Sequence, residues 1–123
     1  MRPIEYLRIP ESLNKSDIGS AVTIGVFDGL HRGHMQLINT LKNVSSEMLS
    51  IVVTFSKHPL SILDSNFAPN YLCSVEDRVT MLNDTGVDAV IPLHFDEEIA
   101  ALEAETFVQL LCKNLHLKVL VVG

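Results

Sequence analysis

The apolar residues of this chain fall into four short, nearly unbroken runs: residues 21–27 (AVTIGVF), 49–55 (LSIVVTF), 88–93 (DAVIPL) and 117–122 (LKVLVV). Runs that do not alternate suit strands buried on both faces, as in a parallel sheet. The first run ends at Asp28-Gly29, a turn signal. A further strand is expected over residues 4–9. Between the runs the pattern becomes helical. Leu37, Ile38 and Leu41 form an apolar stripe on a helix that starts near His31. Residues 74–85 open with Ser74 and Asp77, which resemble a capping box, and Val75, Val79 and Leu82 form the stripe. Gly86 stands where a C-terminal capping glycine belongs. Phe107, Leu110, Leu111 and Leu115 define a third helix, preceded by a short one over residues 96–101. The longest irregular stretch is residues 56–73, and loops of that length in a compact domain are usually functional.

Strand alternating with helix predicts βαβ units, right-handed crossovers and an α/β fold with a doubly wound parallel sheet. Ligands of such sheets bind at the carboxyl ends of the strands. The sequence stops at Val121-Val122-Gly123, directly after a strand, so the sheet is expected to be incomplete at its C-terminus and the chain to be the front part of a longer protein.

Composition narrows the function classes. At 123 residues the chain is one domain or part of one. Its net charge of −6, with nine scattered Lys and Arg residues, supplies no broad basic face for nucleic acid or an acidic membrane. No apolar run is long enough to span a bilayer and no signal peptide is recognisable. Cys73 and Cys112 lack metal-ligand spacing and read as small, buried or half-buried apolar residues. A cytoplasmic location is expected.

The chemistry concentrates in residues 25–34, GVFDGLHRGH. Here a strand ends, Asp28-Gly29 turns the chain and a helix begins. The free N–H groups and partial positive charge of a helix N-terminus suit phosphate. His31 and His34, three apart, are expected on one face of the first turn. Gly33 leaves room for a phosphate between them, and Gly25 lets a ligand approach the strand end. Arg32 is expected to face away as a surface charge, and His94 and His116 show no partner pattern. Zinc on His31 and His34 lacks a third ligand of suitable spacing, so no metal-ligating residue is assigned.

His31-Arg32-Gly33-His34 resembles the HxGH signature of the nucleotidyltransferases. The longer GVFDGLHRGH is similar to the prokaryotic FAD synthase branch, the adenylyltransferase half of bifunctional riboflavin kinase/FAD synthetases. Residues 53–60 (VTFSKHPL) resemble that family's VTFxPHPL stretch, with Lys57 in place of its common proline. Residues 75–82 followed by Gly86-Val87-Asp88 resemble its EEKLELL…GVD segment, and Phe95-Asp96, Phe107-Val108 and Val121-Val122-Gly123 fall in the order of its later blocks.

The resemblance implies a Rossmann-like sheet of the nucleotidyltransferase type. Residues 1–123 would be the N-terminal part of an FMN adenylyltransferase domain, with a riboflavin kinase module expected on the same full-length chain. The implied reaction is ATP plus FMN giving FAD and pyrophosphate. His31 and His34 would act on the ATP phosphates, with Mg²⁺ bridging phosphate oxygens. ATP would be held by Gly25, Val26, Phe27, Asp28, Gly29, His31, Gly33 and His34, Asp28 serving to fix the turn more than to bind metal. Thr54, His58 and Pro59 are the candidates for flavin or phosphate contact, and His58 reads equally as an ordinary loop histidine. Two alternatives stay open: CTP-dependent transfer to another acceptor, and a truncated, non-catalytic nucleotide-binding module.

Overall fold

The computed structural model describes residues 7–13, 18–56 and 73–123. Four strands, β1 (Ser20–Gly25), β2 (Leu49–Phe55), β3 (Ala89–Leu93) and β4 (Leu117–Val121), alternate with helices α1 (Arg32–Val44), α2 (Val75–Asn83), α3 (Glu97–Ala100) and α4 (Ala104–Leu115). All strand pairs are parallel, in the order β3-β2-β1-β4. The sheet is thus the expected Rossmann-like α/β arrangement.

The unbroken apolar runs are explained by burial on both faces. Val22, Ile51, Val53, Ile91 and Leu93 pack on one side with Ile99, Leu111 and Leu115 from α3 and α4. Ala21, Val52 and Val121 pack on the other with Ile38 and Leu41 of α1 and Leu82 of α2. Among the described strands β3 and β4 are the outer ones, and Pro92 on β3 and Lys118 on β4 are exposed.

Three local expectations change. The first strand stops at Gly25, because Phe27 takes a left-handed φ of 56°. Leu7, Arg8 and Ile9 are outside any strand, and the rest of the strand expected over residues 4–9 lies outside the described residues. Cys112 is exposed, on the outer face of α4, whereas Cys73 is half-buried. The α2 start behaves as its sequence suggests: Ser74 Oγ accepts from the Asp77 N–H at 3.1 Å, and Gly86 follows the helix at φ 91°.

Candidate functional site

The strand order reverses next to β1. The chain builds β2 and β3 to one side, then returns through α3 and α4 to place β4 on the other. The carboxyl end of β1 therefore faces the crevice where open parallel sheets bind ligands. The residues that follow β1 are those of the GVFDGLHRGH junction, which the fold delivers to this edge.

His31 is the N-cap of α1, with extended backbone (φ −101°, ψ 179°), and is not inside the helix as its spacing suggests. Its Nδ1 accepts from the Gly33 N–H at 3.1 Å. That bond leaves Nε2 as the protonated nitrogen, able to donate to an anion. His34 is in the first turn, and the two imidazoles stack with centroids 3.6 Å apart and planes at 23°. The expectation that they meet on one face is met, although through a cap and a helical residue. Phe27 closes the other side of His34, edge-on at 5.2 Å and 65°.

His34 Nδ1 is buried and has no hydrogen-bond partner among the described residues. Burial holds the His34 pKa below the ordinary imidazole value; His31 pushes the same way and Asp28 opposes. Burial and the neighbouring imidazole thus both favour the neutral His34 ring in the resting site. A phosphate placed against His34 would oppose both effects, favour the protonated ring and so strengthen it as a donor.

Gly25 is required for a close approach by the protein itself: a Cβ there would lie 3.0 Å from the Phe27 ring. Gly29 adopts φ 62°, so two left-handed residues, Phe27 and Gly29, shape the turn. Val26 anchors it, since its carbonyl accepts from Thr54 Oγ1 at 2.7 Å. Thr54 pairs in register with Gly25 and is fully buried. The structure therefore places Thr54 beneath the turn, with its hydroxyl engaged. His58 and Pro59 lie outside the described residues. Arg32 is exposed, as is His94, whose Nδ1 lies 3.1 Å from Ser56 Oγ.

Asp28 holds the turn through contacts that sequence reading did not anticipate. Its Oδ1 accepts from the Cys73 N–H at 3.1 Å and from the Cys73 thiol at 3.3 Å. Arg78 Nη2 lies 3.9 Å from the same oxygen. Arg78 was overlooked because charged residues are read as surface; its position between Val75 and Leu82, inside the apolar stripe of α2, was the available signal. Among the described residues no group of three His, Cys, Asp or Glu side chains is placed to hold a metal ion. Nor is any described helix long and apolar enough to cross a membrane.

Comparison with known proteins bears on the family and the fold. The chain is 37% identical over 108 residues to the bifunctional riboflavin kinase/FMN adenylyltransferase of Escherichia coli K12, covering 85% of this chain and 34% of that protein. It is 32% identical over 123 residues to the protein of the same description from Haemophilus influenzae, covering 98% of this chain and 40% of that one. The Buchnera aphidicola counterpart from Schizaphis graminum is 28% identical, with 98% and 39% covered. The chain thus spans about two fifths, or less, of these relatives' length (34–40%). A crystal structure described as a macrolide-efflux protein from Streptococcus pneumoniae superposes with a TM-score of 0.80 at 24% identity, covering 100% of this chain and 40% of that one. At that identity the likeness carries the fold alone. The FAD synthetase family model matches residues 13–123, a span that includes β1 to β4, α1 to α4 and the junction of residues 25–34. The chain belongs to the FAD synthetase family.

Proposed function

We propose that this chain is the FMN adenylyltransferase part of a longer protein and that it transfers AMP from ATP to FMN, releasing pyrophosphate and forming FAD. The observation that carries the reading is the stacked His31–His34 pair at the α1 N-terminus, beside the strand-order reversal, in a chain of this family. An FMN phosphate oxygen attacks the α-phosphorus of ATP, a bond to that phosphorus forms, and the bond to pyrophosphate breaks. Such transfer needs alignment and charge stabilisation more than a covalent nucleophile.

The chain's own residues supply those two things. Backbone N–H groups of the first α1 turn and His31 Nε2 donate to triphosphate oxygens, and His34 does so as negative charge builds up. Phe27 and the turn through Gly29 bound the nucleotide end. The described residues offer no dedicated cage for Mg²⁺. The ion fits this site as part of the MgATP substrate, held by phosphate oxygens and water. Riboflavin phosphorylation is assigned to another part of the parent protein, consistent with the description of the relatives and the share of their length matched here.

The test is direct. The purified full-length protein is given ATP, Mg²⁺ and FMN, and FAD and pyrophosphate are quantified together. Equal amounts of the two products are expected. Pyrophosphate release that ignores FMN and follows CTP with another acceptor would overturn the reading. Running the 123-residue chain in parallel separates nucleotide binding from turnover.

A further inference from the structure

We propose that Arg78 is a positioning residue for the phosphate site, clamping the two residues that flank Phe27 so that the Phe27 ring seats His34. Its catalytic consequence rests on the adenylyl-transfer reading; the clamp itself does not. A long cation at an inward position of α2 is expensive to bury unless its donors are matched, yet Arg78 is only 1% exposed. The partners of its two terminal nitrogens account for where they sit. Nη1 donates to the Phe55 carbonyl at 2.6 Å and lies 3.4 Å from Thr54 Oγ1, and Nη2 lies 3.9 Å from Asp28 Oδ1.

These contacts grip the turn on both sides. Thr54 Oγ1 donates to the Val26 carbonyl, before Phe27, and Asp28 follows it. Phe27 itself has a left-handed backbone, a conformation that L side chains adopt at a cost and keep only where the surroundings impose it. With both neighbours held from below, its ring is fixed over Gly25 and against His34. The guanidinium also joins the carboxyl end of β2 to the exit of β1, adjoining segments of the ligand-binding edge. An apolar residue of similar volume would fill the space without holding the turn.

The clamp has an electrostatic signature. Among the described groups, His31 and Asp28 act on His34, and Arg78 stands behind Asp28. The strands packed on α1 add only Lys118, which lies at the far end of β4 against Gly19, and on α2 Glu76 and Asp77 are exposed. Loss of Arg78 removes one positive neighbour of the Asp28 carboxylate and loosens the Phe27 cover, and both changes raise the His34 pKa.

The experiment uses the full-length protein with isotopically labelled histidine, the His34 resonance being identified by its loss in His34→Ala. Arg78→Met is expected to remain folded by circular dichroism, to lose about 10- to 100-fold in kcat with a smaller change in KM for ATP, and to titrate His34 at higher pH. Arg78→Lys keeps the charge but not the fork and is expected to fall between. Wild-type kcat and wild-type His34 titration in folded Arg78→Met would overturn the proposal. Should Arg78→Met not fold, the same wild-type pair of results in Arg78→Lys would overturn it. If the wild-type protein makes no FAD, the function reading fails by itself, because the titration is read without turnover.

Discussion

The N-termini of α1 and α2 solve the same problem in opposite ways. Each helix leaves N–H groups that need acceptors and a positive end that favours anions. At α2 the chain meets the need itself: Ser74 caps the Asp77 N–H, and Glu76 and Asp77 place negative charge in the first turn. At α1 the first turn holds no acidic residue, the cap is an imidazole, and Arg32 and His34 follow. The first arrangement stabilises the apo protein. The second leaves a positive terminus, which the proposed function assigns to a nucleotide phosphate. One helix start is built for stability, and the other, in the proposed function, gives some of it up for binding.

The comparison can be broken at its strongest point by His34→Ala. FAD formation by the full-length protein is expected to fall about 10²- to 10³-fold, the usual effect of removing a donor to a charged transition state, with the circular dichroism spectrum retained. A turnover close to wild type would remove His34 from the proposed mechanism. A second change makes α1 resemble α2. Arg32 is exposed at the first helical position, so Arg32→Glu supplies the missing acid. The apo protein is expected to gain roughly 0.3–1 kcal/mol in denaturant unfolding, while KM for ATP rises several-fold. Gains in both properties would refute the idea that this terminus is kept open for an anion.

The converse change is Ser74→Ala at α2. It should cost about 1 kcal/mol of stability and leave kcat and KM for ATP within about twofold, because the cap serves only its own helix. The smallest effect is the pH dependence. His34 has a folded-state pKa depressed by burial, so below its ordinary value of 6.5 the unfolded chain binds a proton that the folded chain resists. Stability is therefore complete above pH 6.5 and declines as pH falls through that value toward the depressed one. Urea midpoints measured across this window should flatten in His34→Gln. A slope of opposite sign would show that the folded site prefers the protonated ring without ligand.

Much of this architecture was legible before any coordinates. Leu49 to Phe55 was read as a strand with the bounds observed, since an unbroken apolar run tolerates little else in a parallel sheet. Ser74 marked the start of α2 because caps are local chemistry, whereas the helix ends at Asn83 with Asp84 as its C-cap, two residues before Gly86. Reading failed where a residue's conformation depended on distant partners. Phe27 belonged to an apolar run and reads as strand, but the turn held from β2 and α2 puts it in the left-handed region. Thr54 was grouped with possible ligand contacts, and only the pairing with β1 shows its hydroxyl on Val26.

By itself, then, the sequence determined the alternation of strands and helices, the Ser74 cap and a strand–turn–helix junction that carries two imidazoles. Those features depend on periodicity and on residues a few positions apart. Tertiary structure decided the strand order that sets the junction at the reversal of the sheet, the stacking of His31 on His34 and the burial of Arg78 below them. The contacts that support the junction join residues 23 to 50 positions apart, from Arg78 to Phe55 and from Arg78 to Asp28. Such contacts form only once the sheet has brought their strands together, so no local pattern announces them.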